Sequence, residues 1–323
     1  MQSIRFSAPG GPEVLRMEAL SLPQPEAGEV RVRHTAVGLN FIDTYHRTGL
    51  YPIPMPSGLG LEAAGVIEAV GPGVETLRPG MRIGYCWGPI GAYATHRNIA
   101  AGKVVALPDG VSDEVAAAVL LKGCTAEFLV ERCARVRPGQ WALVQAAAGG
   151  VGLLLVQWLK HVGAHVIAVA GSDAKVAMAT AHGADHGIVQ SDTLAAQVRD
   201  ITGGRGVDVV FDGVGKATFE ASLDSLARRG LNISYGNASG AVGAVDFGIL
   251  ARKGSLFTTR PTLFDYYTTR EEIERHAGRV LDLVASGVLK VNIDQRYPLA
   301  DAARAHADLE GRRTTGSTVL VPG

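Results

Sequence analysis

GQWALVQAAAGGVGLLLVQWLK, residues 139–160, is the stretch whose reading decides the fold. Trp141, Ala142, Leu143 and Val144 form a short apolar strand. Ala148, Gly149, Gly150 and Gly152 mark a turn, and the residues from Leu153 to Lys160 have helix-forming composition. Small residues in such a turn let backbone N–H groups approach a pyrophosphate, and the first helical turn adds unpaired donors and the positive end of its dipole. Gly152 is where the helix would pack closest on the strand. Aligned on its last two glycines, the segment puts Ala147, Gly149 and Gly152 at the three glycine positions of G-x-G-x-x-G, so one glycine has become alanine. A strand-to-helix turn that binds nothing uses the same residues, but a second strand at 165–170, after Gly163, completes the start of a βαβ unit and favours dinucleotide binding.

Working outward, strand 141–145 and helix 151–161 are followed by strand 165–170, helix 173–182, strand 186–189, helix 192–200, strand 207–211, helix 216–228 and strand 230–235. This alternation predicts an α/β fold with a doubly wound parallel sheet, its ligand at the carboxyl ends of the strands. The first 110 or so residues instead carry short β-like runs at 29–37, 65–70 and 82–85 between Gly- and Pro-rich turns, which predicts a twisted β domain. Ser112 is the expected N-cap of an alanine-rich helix opened by Asp113 and Glu114. The last segment reads as helix 270–286, strand 289–293, helix 301–310 and strand 317–321, returning to the β domain.

Composition narrows the function classes. A chain of 323 residues that is 47% hydrophobic can bury two cores. Thirty-one basic residues balance 31 acidic ones, so no global field recruits nucleic acid or an anionic membrane. Residues 141–159 are apolar enough to mimic a membrane span, but two glutamines and a Gly-Gly pair interrupt them where strand gives way to helix. The N-terminus lacks the basic start and apolar core of a secretory signal, so the expected compartment is the cytoplasm. Cys86, Cys124 and Cys133 form no C-x-x-C pair and are expected to be reduced packing residues.

Seven segments, NFIDTYHRTGLYP (40–52), GLEAAGVIEAVG (60–71), LKGCTAEFL (121–129), the 139–160 stretch, YGNASGAV (235–242), TTRPTL (258–263) and RRTTGSTVLVP (312–322), span nearly the whole chain. Together they resemble the zinc-free quinone oxidoreductase branch of the medium-chain dehydrogenase/reductase superfamily, which includes bacterial NADPH:quinone reductases and zeta-crystallin. The resemblance implies a GroES-like β domain at 1–123 and 267–323, into which a Rossmann nucleotide-binding domain at 124–266 is inserted. It also implies a homodimer formed through an edge strand near Thr258.

Zinc alcohol dehydrogenases share this fold and need Cys, His and carboxylate ligands. Where the zinc branch has G-H-E, this chain has Gly60-Leu61-Glu62, and where a ligand cysteine would stand it has Gly38-Leu39-Asn40. Leucine cannot ligate a metal, so no metal is expected and Glu62 reads as a structural carboxylate. An NAD enzyme places an acid at the end of its second strand to hold the ribose 2′-OH. Here that position is Ala170, while Gly171, Ser172 and Lys175 offer hydrogen bonds and positive charge to a 2′-phosphate. NADPH is therefore the expected cofactor, with Asp173 nearby and Gln190 in place of a family tyrosine as opposing signals.

By position, the resemblance carries over cofactor contacts to Asn40, Tyr45, Thr125, Gly149, Gly150, Val151, Gly236, Asn237, Thr259, Arg260, Arg312 and Gly316. Arg260 before proline serves equally as a loop brace, and Asn237 and Gly316 as turn formers. Catalytic roles fall to Asn40, Tyr45 and Tyr51 in a loop-like segment, where hydroxyls would orient a carbonyl or simply wall the cofactor site. Asp43 and Arg47, four residues apart, are expected to form a local ion pair. His34, His46 and His96 are read as packing or surface residues.

The expected activity is NADPH-dependent reduction of a quinone, which needs no Lewis acid because its reduced oxygen carries delocalised charge. The alternatives are reduction of the activated C=C bond of an enal or enone, or a nucleotide-binding protein with little catalysis, crystallin-like or RNA-binding. Neutral net charge argues against RNA.

Overall fold

A computed structural model describes all 323 residues, which fall into two compact units, Met1–Cys124 with Tyr267–Gly323, and Thr125–Tyr266. The second unit holds a six-stranded sheet whose neighbours all pair in parallel. The strands lie in the order His186–Val189, His165–Ala170, Trp141–Val144, Val207–Asp212, Leu226–Ser234 and Phe257–Thr259. In chain order this is 3-2-1-4-5-6, so the strand order reverses beside Trp141–Val144 and a binding crevice opens at the carboxyl ends there. Strands covered on both faces must be apolar throughout, and Leu143, Ile167, Val169, Ile188 and Val210 form one core with Leu194, Val198 and Leu223 of the flanking helices.

Helix Gly150–Val162 ends where Gly163 adopts φ +89°, a conformation a side chain disfavours. The expected helix at 216–228 is corrected: only Phe219–Asp224 is helical, and Leu226–Ser234 is strand. Alanine and arginine suggested helix locally, but Leu226 is needed in the sheet core opposite Val207. The pairing then resumes at Val209 with Leu231, so residues 227–230 bulge out, with Arg229 at φ +61°.

The first unit is built on a seven-stranded sheet in which Glu29–Leu39 is central, pairing with Glu62–Val70, His96–Ala100 and Ser317–Val321. A three-stranded sheet of Arg16–Ala19, Gln2–Phe6 and Ser57–Gly58 accompanies it. The strand expected at 289–293 is instead Ile293–Pro298, paired in parallel with Ser317–Val321. Leu289 is buried in the turn after helix Arg270–Ala285, its N–H bonded to the Leu283 carbonyl, whereas the polar IDQRYP run alternates half-buried and exposed positions. Two strand extensions matter for the site: Glu29–Leu39 runs past residue 37 to reach Asn40, and Glu62–Val70 starts at Glu62 rather than at 65.

Candidate functional site

In the Thr125–Tyr266 unit the turn after Trp141–Val144 is built by close backbone approach. A Cβ on Gly152 would lie 2.4 Å from the Ala146 oxygen and 2.8 Å from Ala147 backbone atoms, so only glycine fits. Gly149 is the N-cap, with Gly150 and Val151 opening the helix, and their N–H groups belong to the set that no helical carbonyl can satisfy. After His165–Ala170, Gly171 is exposed with open space where a side chain would stand. Ser172 caps helix Asp173–Ala181 by accepting from the Lys175 N–H at 3.4 Å, so Lys175 sits in the first turn. Ala170 is buried and no carboxylate takes its place.

The loops after the next two strands are tied together. Fully buried Asp212 accepts from the Val214 and Gly215 N–H groups at 2.9 and 3.1 Å, from the Thr218 hydroxyl at 2.8 Å and from the Ser222 hydroxyl at 2.8 Å. The Asp212 carbonyl accepts from Tyr235 N–H at 2.8 Å, and a Cβ on Gly236 would meet the Gly213 oxygen at 2.2 Å. Gly236 and Asn237 are thus held at a strand end by an aspartate the sequence reading missed; its signal was a D-G-V-G run closing an apolar strand. Thr259 ends the edge strand, and Arg260 donates to the Ser234 carbonyl at 2.9 Å, which gives it a bracing role. Of the expected cofactor residues, Gly149, Gly150, Val151, Gly171, Ser172, Lys175, Gly236, Asn237, Thr259 and Arg260 therefore all lie at or just beyond the carboxyl ends of these parallel strands.

In the other unit Asn40 joins strand Glu29–Leu39 to helix Phe41–Thr48, and Tyr45 lies on that helix rather than in a loop. The capping residues Asn40 and Asp43 explain the helix. Tyr45 is buried and meets Tyr51 edge to face at 5.2 Å. Asn40 donates through Nδ2 to Glu62 Oε2 at 2.8 Å, Leu121 N–H donates to Oε1 at 2.7 Å, and the Lys122 ammonium lies 3.4 Å from Oε2. Glu62 is wholly buried and Lys122 nearly so. Lys122, the lone cation in the apolar run VLLKGC, was the overlooked signal.

The expected Asp43–Arg47 pair does not form. Asp43 Oδ2 instead accepts from the Asn40 N–H at 2.9 Å and the Tyr93 hydroxyl at 3.0 Å, because an N3 carboxylate folds back onto the helix start. Arg47, 1% exposed, donates to both oxygens of Glu310 at 2.6 and 2.8 Å. Thr125, half-buried, lies near the end of helix Asp113–Glu127. Arg312 is exposed after helix Ala302–Glu310, and Gly316 precedes the last strand at φ +57°.

Burial sets the protonation of several groups here. The His34 ring lies 2.7 Å from both the Ala94 carbonyl and the Tyr85 hydroxyl; a carbonyl only accepts, so Nδ1 carries the proton and Nε2 accepts from Tyr85. Burial lowers His34 and His306 to about 3 and His46 to about 4. It raises Asp43 to about 7, against hydrogen bonds from Asn40 and Tyr93. Below pH 6.5 the unfolded chain protonates its imidazoles while the folded one does not, so these histidines withdraw stability as pH falls from 6.5 toward 4. Asp43 acts oppositely, since its raised value contributes stability that is lost as pH rises from 3.8 to about 7. Three imidazoles outweigh it, so urea unfolding is expected to show lower stability at pH 5 than at pH 7, with a larger loss in Asp43→Asn. Higher stability at pH 5 would contradict the histidine assignments.

Comparison with known proteins agrees with this architecture. Residues 26–109 match the family model described as alcohol dehydrogenase GroES-like domain, and residues 150–279 the one described as zinc-binding dehydrogenase. The chain is 49% identical to a quinone oxidoreductase of Pseudomonas aeruginosa, over 99% of each protein. It superposes with TM-score 0.97 and 47% identity on Escherichia coli quinone oxidoreductase complexed with NADPH, each chain covered completely. A 2-haloacrylate reductase of a Burkholderia species is 42% identical, over 97% of this chain and 96% of that protein.

Proposed function

Since this chain belongs to the quinone oxidoreductase branch of the medium-chain dehydrogenase/reductase superfamily, we propose that it reduces quinones with NADPH and without a metal ion. The observation that carries the reading is full-length similarity to an NADPH-bound quinone oxidoreductase, joined to a strand-end crevice of suitable chemistry. The glycine turn at 149–152 admits a pyrophosphate to the helix N-terminus. Ala170 offers no acid to a 2′-OH, and Gly171, Ser172 and Lys175 receive a 2′-phosphate. Gly236 and Asn237 complete the crevice, and Thr125, Arg312 and Gly316 are further cofactor contacts in this reading.

When bound, NADPH would supply the hydride, and a proton would complete the hydroquinone. In this reading Asn40, Tyr45 and Tyr51 orient the acceptor, and solvent or the hydroxyl of Tyr45 or Tyr51 supplies the proton. A metal has no place beside Asn40: Leu61 offers no donor, both Glu62 oxygens already accept protein hydrogen bonds, and the Lys122 ammonium would repel a dication. No three His, Cys, Asp or Glu side chains gather elsewhere into a metal-holding group.

Lys175→Ala is expected to raise the NADPH dissociation constant about ten- to hundredfold, by loss of a charge-assisted contact, and to leave that for NADH unchanged. Fluorescence titration with both cofactors checks this, and equal effects on the two would refute the 2′-phosphate assignment. A second reading, reduction of an activated C=C bond, is favoured by the similarity to 2-haloacrylate reductase. NADPH oxidation rates with 1,4-benzoquinone and with an alkenal separate the two, and inactivity on quinones would overturn the first.

The same reading makes the protein a homodimer through the edge strand Phe257–Thr259, where Phe257 is 60% exposed. It also places the protein in the cytoplasm, where its three free cysteines stay reduced. No helix is long and apolar enough to cross a membrane.

A further inference from the structure

We propose that Glu62, kept ionised by Lys122, is a positioning residue that fixes the amide of Asn40 and, through it, the start of the helix carrying Tyr45. The proposal rests on the functional reading above for the importance of Asn40 and Tyr45, but its geometry stands within one unit.

Every partner of the Glu62 carboxylate is a donor: the Asn40 amide at 2.8 Å, the Leu121 backbone N–H at 2.7 Å and the Lys122 ammonium at 3.4 Å. Only an ionised carboxylate satisfies all three, since a protonated acid or a carboxamide turns a hydrogen toward one of them. The position is shaped for this group. A Cβ on Gly38, which pairs with Glu62 across the sheet, would lie 2.2 Å from Oε2 and 2.2 Å from the Ala117 oxygen, so the carboxylate rests against bare backbone. Three elements meet there: the end of Glu29–Leu39, the start of Glu62–Val70, and helix Asp113–Glu127.

Fixing Asn40 matters because its side chain and backbone together tie the end of one strand to the start of the next helix. Nδ2 donates to Glu62, while the Asn40 N–H donates to Asp43 and the Asn40 carbonyl accepts from the Asp43 N–H at the start of Phe41–Thr48. If Glu62 took up a proton and donated, the amide would turn over to accept, and Asn40 would present its other end beside the helix start. Burial raises Glu62 above the usual carboxylate range and so pushes it toward that state, opposed first by Lys122 and then by the Asn40 hydrogen bond. Lys122 is thus the charge that keeps a wholly buried carboxylate in its accepting form.

The facing groups bound the test. Asp43 is the other carboxylate at the helix start, held by the Asn40 N–H and Tyr93, and Cys86 faces both Glu62 and Cys124. The experiment measures kcat/KM for NADPH with 1,4-benzoquinone, and the NADPH dissociation constant, from pH 5 to 9, in wild type, K122M, K122R and E62Q. Thermal melts establish which variants fold.

K122M is expected to lose about tenfold in kcat/KM at pH 6 and to recover toward wild type by pH 9, where Glu62 ionises without help. K122R keeps the charge and should keep the wild-type profile. E62Q should be about tenfold weaker at every pH, with no recovery. A K122M profile parallel to wild type, or wild-type kcat/KM in E62Q, would overturn the proposal; if K122M does not fold, E62Q and K122R decide it. The dissociation constant follows the same pH limb without any acceptor. A wild type inactive on quinones would therefore refute the substrate assignment while leaving this inference readable.

Discussion

Replacing Asp212 with alanine is expected to lower stability by about 3–5 kcal/mol and the melting temperature by roughly 6–15 °C. The side chain is fully buried and accepts from two backbone N–H groups and two hydroxyls, all in the turn and helix that follow its strand. Hydroxyls can rotate toward other acceptors, but the N–H groups of Val214 and Gly215 cannot, and leaving a buried donor unmade costs its whole desolvation. The loss spreads to the ligand side. Tyr235 bonds back to the Asp212 carbonyl and Gly236 rests on Gly213, so a collapse of the 212–218 turn displaces Gly236 and Asn237 with it. Urea unfolding and NADPH titration should therefore deteriorate together. A melting temperature within about 2 °C of wild type would show that the carboxylate is dispensable.

The second large effect is expected at the opening turn. In Gly152→Val the new Cβ would meet the Ala146 oxygen at 2.4 Å and Ala147 backbone atoms at 2.8 Å. These are backbone atoms beneath the helix start, so the helix must lift off the strand rather than a side chain step aside. Ala146 already holds φ +51°, which leaves the turn little freedom to adjust. Overpacking of this kind costs about 1–3 kcal/mol or more, and here it falls on the N–H groups that the proposed function assigns to a pyrophosphate. NADPH affinity should drop by at least about a hundredfold. Binding within threefold of wild type would show that this turn does not hold the cofactor.

Much of the fold was legible because the Rossmann unit announces itself locally. Its first two strands are apolar runs, Gly163 stops the helix between them, and the turns into the first two helices are set by neighbours in sequence, as Gly149 and Ser172 show. The errors fell where tertiary pairing overrode local preference. Residues 226–228 have helical composition but belong to the strand that Leu226 opens opposite Val207, and the IDQRYP run looks too polar for a strand until Ser317–Val321 lies beside it.

By itself, then, the sequence determined the class of fold, the glycine turn after the first parallel strand, the absence of an acid at Ala170 and of a metal donor at Leu61, because each is written in the identity of a residue or in spacing along a few turns. The tertiary structure alone decided which polar groups answer one another. Arg47 turns from Asp43, four residues away, to Glu310, 263 residues away; Asp43 finds Tyr93; Glu62 gathers Asn40, Leu121 and Lys122. Buried charges and donors must be matched, and the match is made by whichever partner the packing of strands and helices brings within about 3 Å, a distance that spacing along the chain does not encode.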